Sequence, residues 1–367
     1  MKKKSIFVTQ PSLPKMKKLM PYLEKIWRNK IVSNNGPFHR QFEQELSEYL
    51  GVKYVSLVSN CTIGLIIALS VMKIKGEVIT TPFSFIATAS SLIWNNIKPV
   101  FVDIDSNSFN LDPKKIESSI TKHTSAIMPV HTYGYPCDVE KIQKIANKNN
   151  LKVIYDAAHA FGVECHCGSI LKHGDISVLS FHATKVFNTF EGGAIICKDK
   201  KIKDLIDQFK NFGFNSQTEA KQIGLNGKMS EFNAALGLLQ LKEIDKNINK
   251  RKKIFDYYTK FLKKVAGIRV HFPSQIQKSN YSYYPIIIEK NYPLSRDQLY
   301  KKLLKNGIYA RKYWYPLITN FSVYRKLFKT KYQDFKNAKI VTNRVICLPI
   351  YPELSLKKIK FIINLIK

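Results

Sequence analysis

The sequence predicts an α/β fold: a large domain built on a doubly wound, mostly parallel sheet, followed by a smaller α+β C-terminal domain. Three observations carry this. Short apolar runs alternate with segments of helical spacing from Val55 to Cys197. The runs are continuously apolar, as expected of strands covered on both faces. The rhythm then changes after Asn211, where one long amphipathic pattern replaces the alternation. The chain has 367 residues, the length of two domains at roughly 100–200 residues each.

Taken in order, Val55–Val58 reads as a strand and Thr62–Met72 as a helix; Glu77–Thr80 is a strand, Ser84–Trp94 a helix and Pro99–Val102 a strand. Pro113–Ile120 reads as a helix, Ser125–Val130 as a strand and Val139–Asn147 as a helix. Leu151–Tyr155, Ile176–Phe181 and Ala194–Cys197 are three further strands. Ser230–Leu241 starts a long helix that continues toward Tyr258. Strands at Tyr283–Ile288 and Ile308–Arg311 and helices at Arg296–Asn306 and Leu356–Ile366 complete the smaller domain. The boundary falls within the Lys-rich stretch Lys246–Lys253, dividing residues 1–248 from 249–367.

Composition narrows the class. A 45% hydrophobic and 12% aromatic chain is sufficient for packed cores. The longest apolar run, around Gly64–Met72, is far short of the ~20 residues of a membrane span, and the basic Met1–Lys4 is followed by no signal-type apolar stretch. A cytoplasmic protein with no membrane partner is expected. The 59 Lys+Arg against 27 Asp+Glu give a net charge of +32, which alone would suggest a basic nucleic-acid-binding protein. The lysines are scattered through every segment, as on solvated faces, so no nucleic-acid partner is expected, although the field would attract a phosphorylated small substrate. The six cysteines are irregularly spaced and form no framework. Cys165-His166-Cys167 lacks a second pair at zinc spacing and reads as a surface turn, with no metal expected.

In open α/β sheets ligands sit beyond the carboxyl ends of the strands. Asp156 lies there, directly after Leu151–Tyr155, and Lys185 follows the strand ending at Phe181. An acid and a lysine at neighbouring strand ends make either an ion pair or the two groups pyridoxal phosphate requires: a lysine for covalent attachment and an acid for the pyridinium nitrogen. Ser59-Asn60-Cys61-Thr62, between a strand and a helix, offers N–H groups and a hydroxyl to a phosphate, although such residues also cap many helices. Ser180 adds a hydroxyl near Lys185. Phe85 is placed either to stack on a flat ring or to fill the core, and Tyr313 and Trp314 either to line a substrate mouth or to pack the small domain.

Several ordered motifs together resemble the DegT/StrS family of pyridoxal-phosphate-dependent nucleotide-sugar aminotransferases, which have the fold-type-I aspartate aminotransferase architecture. They are Asn35-Gly36-Pro37, Ser59–Thr62, Pro129–Gly134, Asp156–Gly162, Ser180–Lys185, Glu191-Gly192-Gly193, Gly224–Met229 and Leu348-Pro349. The resemblance implies that Lys185 carries the cofactor, Asp156 pairs with its ring nitrogen and His159 approaches its hydroxyl. Cys61, Thr62 and Ser180 would hold the phosphate and Phe85 would stack on the ring. Asn226 matches the family residue that reaches the phosphate of the neighbouring subunit, so a homodimer with shared active sites is implied. Three departures stand out: Cys61 replaces the usual Gly, His159 replaces the Gln of many members, and Lys228-Met229 replaces Arg-Met.

The implied reaction moves the amino group of L-glutamate to a nucleotide-linked keto sugar, with pyridoxamine phosphate as the cofactor form between the two halves. The segments Tyr155–Gly162, Leu179–Gly193 and Asn226–Leu241 most resemble members that aminate the 4-position of dTDP-4-keto-6-deoxyglucose for surface polysaccharides such as the O-antigen of lipopolysaccharide. Amination at the 3-position, or of a GDP- or UDP-linked sugar, is the alternative.

Overall fold

The structure, a computed structural model, describes residues 5–273, 276–328 and 335–367. Its centre is a seven-stranded sheet in the order Tyr54–Val58, Gly193–Cys197, Ile176–Ser180, Lys152–Asp156, Thr124–Ile127, Glu77–Thr80 and Lys98–Phe101. Gly193–Cys197 runs antiparallel to both neighbours, and every other pairing is parallel. The continuous apolar runs follow from the pleat. Ile176, Val178 and Ile195 point to a core under the helix Cys61–Val71, while Leu179, Ala194 and Ile196 point to the opposite core under the helix Pro37–Leu50.

The Asn35-Gly36-Pro37 motif starts the helix Pro37–Leu50. Pro37 occupies a first-turn position, where its missing N–H costs nothing, and the buried Glu231 carboxylate accepts from Phe38 N at 2.8 Å and His39 N at 2.7 Å. A Cβ on residue 36 would stand 2.5 Å from Glu231 Cδ, so this contact requires Gly36.

Glu231 opens the 32-residue helix Glu231–Leu262, which serves two cores. Ala234, Ala235, Leu238, Ile244 and Ile248 pack against the large sheet; Ile254, Phe255, Tyr258 and Leu262 enter the second core. That core is built on the antiparallel sheet Ile268–Val270, Tyr284–Ile288 and Val345–Leu348, with the helices Arg296–Lys305 and Leu356–Ile366. Ile6–Phe7 pairs in parallel with Ile308–Tyr309, so the N-terminal segment reaches this smaller unit.

Two local expectations are corrected. Pro113–Ile120 is a pair of 3-10 turns, Pro113–Lys115 and Glu117–Ser119, rather than an α-helix. Asp112 Oδ1 accepts from Lys114 N, and the Ser118 and Ser119 hydroxyls both return to Lys115 O, competing with a continued helical ladder. The helix assigned from Ser84 begins at Ile86, because Phe85 keeps extended backbone angles at its N-cap. The amphipathic helices Met16–Asn29 and Lys200–Phe209 and the helix Lys336–Arg344 were not placed from the sequence.

Burial also makes stability pH-dependent. His39, His131 and His271 are buried, and chiefly for that reason their pKa values fall to about 4, about 3 and about 3. In the unfolded chain they titrate near ~6.5. Between those limits the unfolded state binds more protons, so their contribution is complete above the unfolded pKa. It is lost as pH falls toward the folded values, at ~1.4 kcal/mol per pH unit for each histidine. Thermal unfolding is therefore expected to shift to lower temperature between pH 7 and pH 4.5; an unchanged Tm over that range contradicts this origin.

Candidate active site

The carboxyl ends of the parallel strands share one sheet edge, and the loops leaving it enclose a cavity of about 530 Å3. Asp156 is the last residue of its strand, and Val58 ends the strand that leads through Ser59 and Asn60 into the helix Cys61–Val71. Ser180 ends the strand whose following turn carries Lys185.

Asp156 and Lys185 do not form an ion pair. Asp156 Oδ2 accepts from Thr88 Oγ1 at 2.7 Å and Oδ1 from Ala158 N at 3.2 Å. Ser84 Oγ and Thr88 Oγ1, 2.8 Å apart, extend this chain of hydroxyls. Burial raises the Asp156 pKa above the ordinary carboxylate value, opposed by the Thr88 and Ala158 hydrogen bonds and the Lys185 charge. Lys185 is half-buried on the cavity wall; desolvation lowers its pKa, so more of it is the neutral amine at a given pH than for a free lysine.

The opposite end is an anion site in form. Asn60 Oδ1 accepts from Ile63 N at 2.9 Å and caps the helix, which presents its first turn, with Cys61 and Thr62, to the cavity. The Cys61 thiol turns inward, 3.9 Å from Val178 O, and burial pushes its pKa well up. A side chain is therefore accommodated where the family usually has Gly. Gly193 makes room for this approach: a Cβ there would lie 2.9 Å from Cys61 N and 2.7 Å from Leu179 O.

Aromatic rings form the remaining wall. His159 is stacked on Trp314 at 5.6 Å and 18°, and meets the edge of Tyr283 at 5.1 Å. Phe85 is 56% exposed, which excludes the core reading, and its ring lies 5.9 Å from Trp314. Tyr313 and Trp314 both line the cavity while also packing against the adjacent core. Both His159 ring nitrogens and Trp314 Nε1 are buried without a hydrogen-bond partner. Burial, then the Lys185 charge, holds the His159 pKa well below its ordinary value, so the ring is neutral.

The cavity thus gathers Cys61, Thr62, Phe85, Asp156, His159, Ser180, Lys185, Tyr313 and Trp314. Asn226 does not line it; it is exposed on the stretch that bridges back to Asn211. Sequence reasoning missed Thr88, whose signal was a hydroxyl pair with Ser84 four residues earlier, just before the helix Ile86–Trp94, and Glu191 and His182 at the mouth. It also missed Tyr283, which has no local signal because the smaller domain delivers it.

A profile of the DegT/DnrJ/EryC1/StrS aminotransferase family matches residues 15–367. The chain is 53% identical over 364 residues to the dTDP-4-amino-4,6-dideoxy-D-glucose transaminase of Shigella dysenteriae, covering 99% of each chain. It is 52% identical over 357 residues to the enzyme of the same name from Escherichia coli, covering 97% of this chain and 96% of that one. The crystal structure of DesI in the presence of its TDP-sugar product superposes with a TM-score of 0.94 at 30% identity, covering 98% of this chain and 92% of DesI. The chain therefore belongs to the DegT/DnrJ/EryC1/StrS family and is a pyridoxal-phosphate-dependent sugar aminotransferase.

Proposed function

We propose that the chain transfers the amino group of L-glutamate to the 4-position of dTDP-4-keto-6-deoxyglucose, giving dTDP-4-amino-4,6-dideoxyglucose. The observation that carries this is its likeness, over nearly its whole length, to the two transaminases of that name. The product would be made in the cytoplasm for a surface polysaccharide.

The cavity residues fit the cofactor. A buried carboxylate whose pKa is raised wants a cation beside it, the partnerless His159 nitrogens want a polar group, and the helix N-terminus wants an anion. In this reading Cys61 and Thr62 hold the phosphate by backbone N–H and hydroxyl, assisted by Ser180. Asp156 holds the ring nitrogen protonated, His159 meets the ring hydroxyl, Phe85 covers a ring face and Lys185 attaches through Nζ.

When bound, the cofactor's protonated ring supplies an electron sink for the pair released at the reacting carbon. The chain supplies the rest. Released from its covalent link by the incoming donor amine, the Lys185 amine, its pKa lowered by burial, would take the proton from the donor's α-carbon and pass it to the adjoining cofactor carbon. The Thr88 and Ala158 hydrogen bonds hold both Asp156 oxygens and favour its charged form, and a ring cation beside it would offset the upward shift that burial causes. Trp314 and Tyr283 exclude water from the His159 side. Tyr313 and Trp314 border the space left for the sugar.

The second subunit enters through Asn226, which in this reading reaches the partner's phosphate in a homodimer with shared active sites. Phe190 and Phe232, stacked at 5.8 Å, and Phe212, Phe214 and Ile223 expose apolar surface on the segments flanking it. Asn226→Ala is expected to release cofactor faster on dialysis without unfolding the chain. A fully active monomer in light scattering contradicts the shared site.

Substrate choice is tested with L-glutamate and a panel of dTDP-, UDP- and GDP-linked keto sugars, with NMR of the product. The expected result is turnover of dTDP-4-keto-6-deoxyglucose to the 4-amino sugar with gluco configuration. A 3-amino product, or turnover confined to GDP- or UDP-sugars, overturns this substrate while leaving the family intact.

A further inference from the structure

A second cluster of reactive side chains lies away from the active-site cavity, on the short hairpin formed by Glu164–Cys165 and Gly168–Ser169. Its turn brings the Cys165 and Cys167 sulfurs within 2.8 Å of each other. The chain then passes through the 3-10 turn Ile170–Lys172 and returns His173 to the same point. His173 Nε2 lies 3.7 Å from Cys165 Sγ and 3.3 Å from Cys167 Sγ. The sequence suggested only a surface turn, because Cys165-His166-Cys167 has no second pair at zinc spacing; the third donor arrives through folding.

We propose that Cys165, Cys167 and His173 form a binding site for a thiophilic divalent cation, with Zn2+ the best match. Two sulfurs and an imidazole nitrogen within 4.8 Å of one another are a donor set suited to that ion. In a tetrahedral site with Zn–S bonds of about 2.3 Å, two sulfurs stand about 3.8 Å apart and a sulfur and a nitrogen slightly closer. The two sulfur–nitrogen edges are already near that length. The sulfur–sulfur edge must open by about 1 Å to reach it, and it is wider than the ~2.05 Å of a disulfide. Both cysteines are free thiols, and Cys167 is exposed, giving an entry path from solvent. The fourth position is left to water or to the neighbouring His166 and Glu140, which are 3.1 Å apart and, with Cys167, place three donors within 4.8 Å. On binding, each thiol loses its proton to solvent, so uptake of the ion releases acid.

The site would brace the active site from outside. The hairpin is tied to the stretch leading into the strand Tyr284–Ile288, with Glu164 N donating to Lys278 O at 3.0 Å. Two residues later Asn280 Nδ2 donates to His159 O at 2.8 Å. His173 precedes the strand Ile176–Ser180, whose end lies in the cavity. An ion joining Cys165, Cys167 and His173 therefore fastens the hairpin to the large sheet and steadies the segment that holds His159.

The test uses the full-length holoenzyme, kept reduced, stripped with a chelator and titrated with Zn2+ against a chromogenic competitor, then with Co2+. The expected result is one Zn2+ per chain and thiolate-to-cobalt charge-transfer absorption, with affinity lowered about 100-fold or more in both Cys167→Ser and His173→Gln. Zn2+ should also raise Tm in the unmodified protein and not in those variants. Retention of the bound cofactor's absorbance shows that the variants are folded. No uptake by the reduced protein, equal uptake by the variants, or a Cys165–Cys167 disulfide that re-forms in place of metal binding overturns the proposal.

Discussion

Lys185→Ala is expected to lower kcat by about 10⁴-fold, the upper range for loss of a positioned proton-transfer group. The size follows from the absence of a ready substitute among the described residues that line the cavity. His159 is neutral and sandwiched by rings, with its pKa held down by burial. His182 is engaged by Thr184 Oγ1 at 2.7 Å and by Glu191 at 3.6 Å. Asp156 is fixed by Thr88 and Ala158. Glutamate-dependent turnover of the alanine variant is the measurement. A kcat within tenfold of the unmodified enzyme would remove Lys185 from the proton-transfer role.

Asp156→Asn carries the second largest expected loss, about 10²–10³-fold in kcat, comparable to removing one preorganised electrostatic partner from an enclosed site. The substitution keeps the shape and leaves one oxygen to accept from Thr88 or Ala158, but removes the charge. The carboxyl pKa is raised by burial in the free cavity, and a ring cation beside it reverses that direction. Asn cannot hold the ring nitrogen protonated, so the electron sink weakens while the fold and the covalent link remain. Steady-state kcat together with the cofactor absorption spectrum checks this. An unchanged kcat contradicts the assignment.

The part of the fold legible in the sequence was the part made by local pattern. Ile176–Ser180 and Gly193–Cys197 are apolar at consecutive positions because both faces of their sheet are covered, and a continuous run records that directly. Strand direction is not recorded in the same way, and nothing in Ala194–Cys197 announced that it runs against its neighbours. Lysines on exposed positions obscured the helix Lys200–Phe209, although Ile202, Leu205, Ile206 and Phe209 have helical spacing. Asp156 and the Cys61–Thr62 turn were legible because strand ends and helix starts are themselves sequence features. Tyr283, which completes the aromatic wall, and His173, which completes the thiol cluster, were not, since only folding brings them to their partners. The Asn226 role came from family resemblance alone, and its side chain does not line its own chain's cavity.

The central claim is that the cavity between Asp156 and the Cys61 helix binds pyridoxal phosphate through Lys185. Borohydride reduction of the purified holoenzyme, followed by proteolysis and mass spectrometry, tests it most directly. The expected result is loss of the long-wavelength absorption and one pyridoxyl phosphate mass increment on the peptide containing Lys185. An increment on another lysine, or no covalent label in protein that is active, would contradict it.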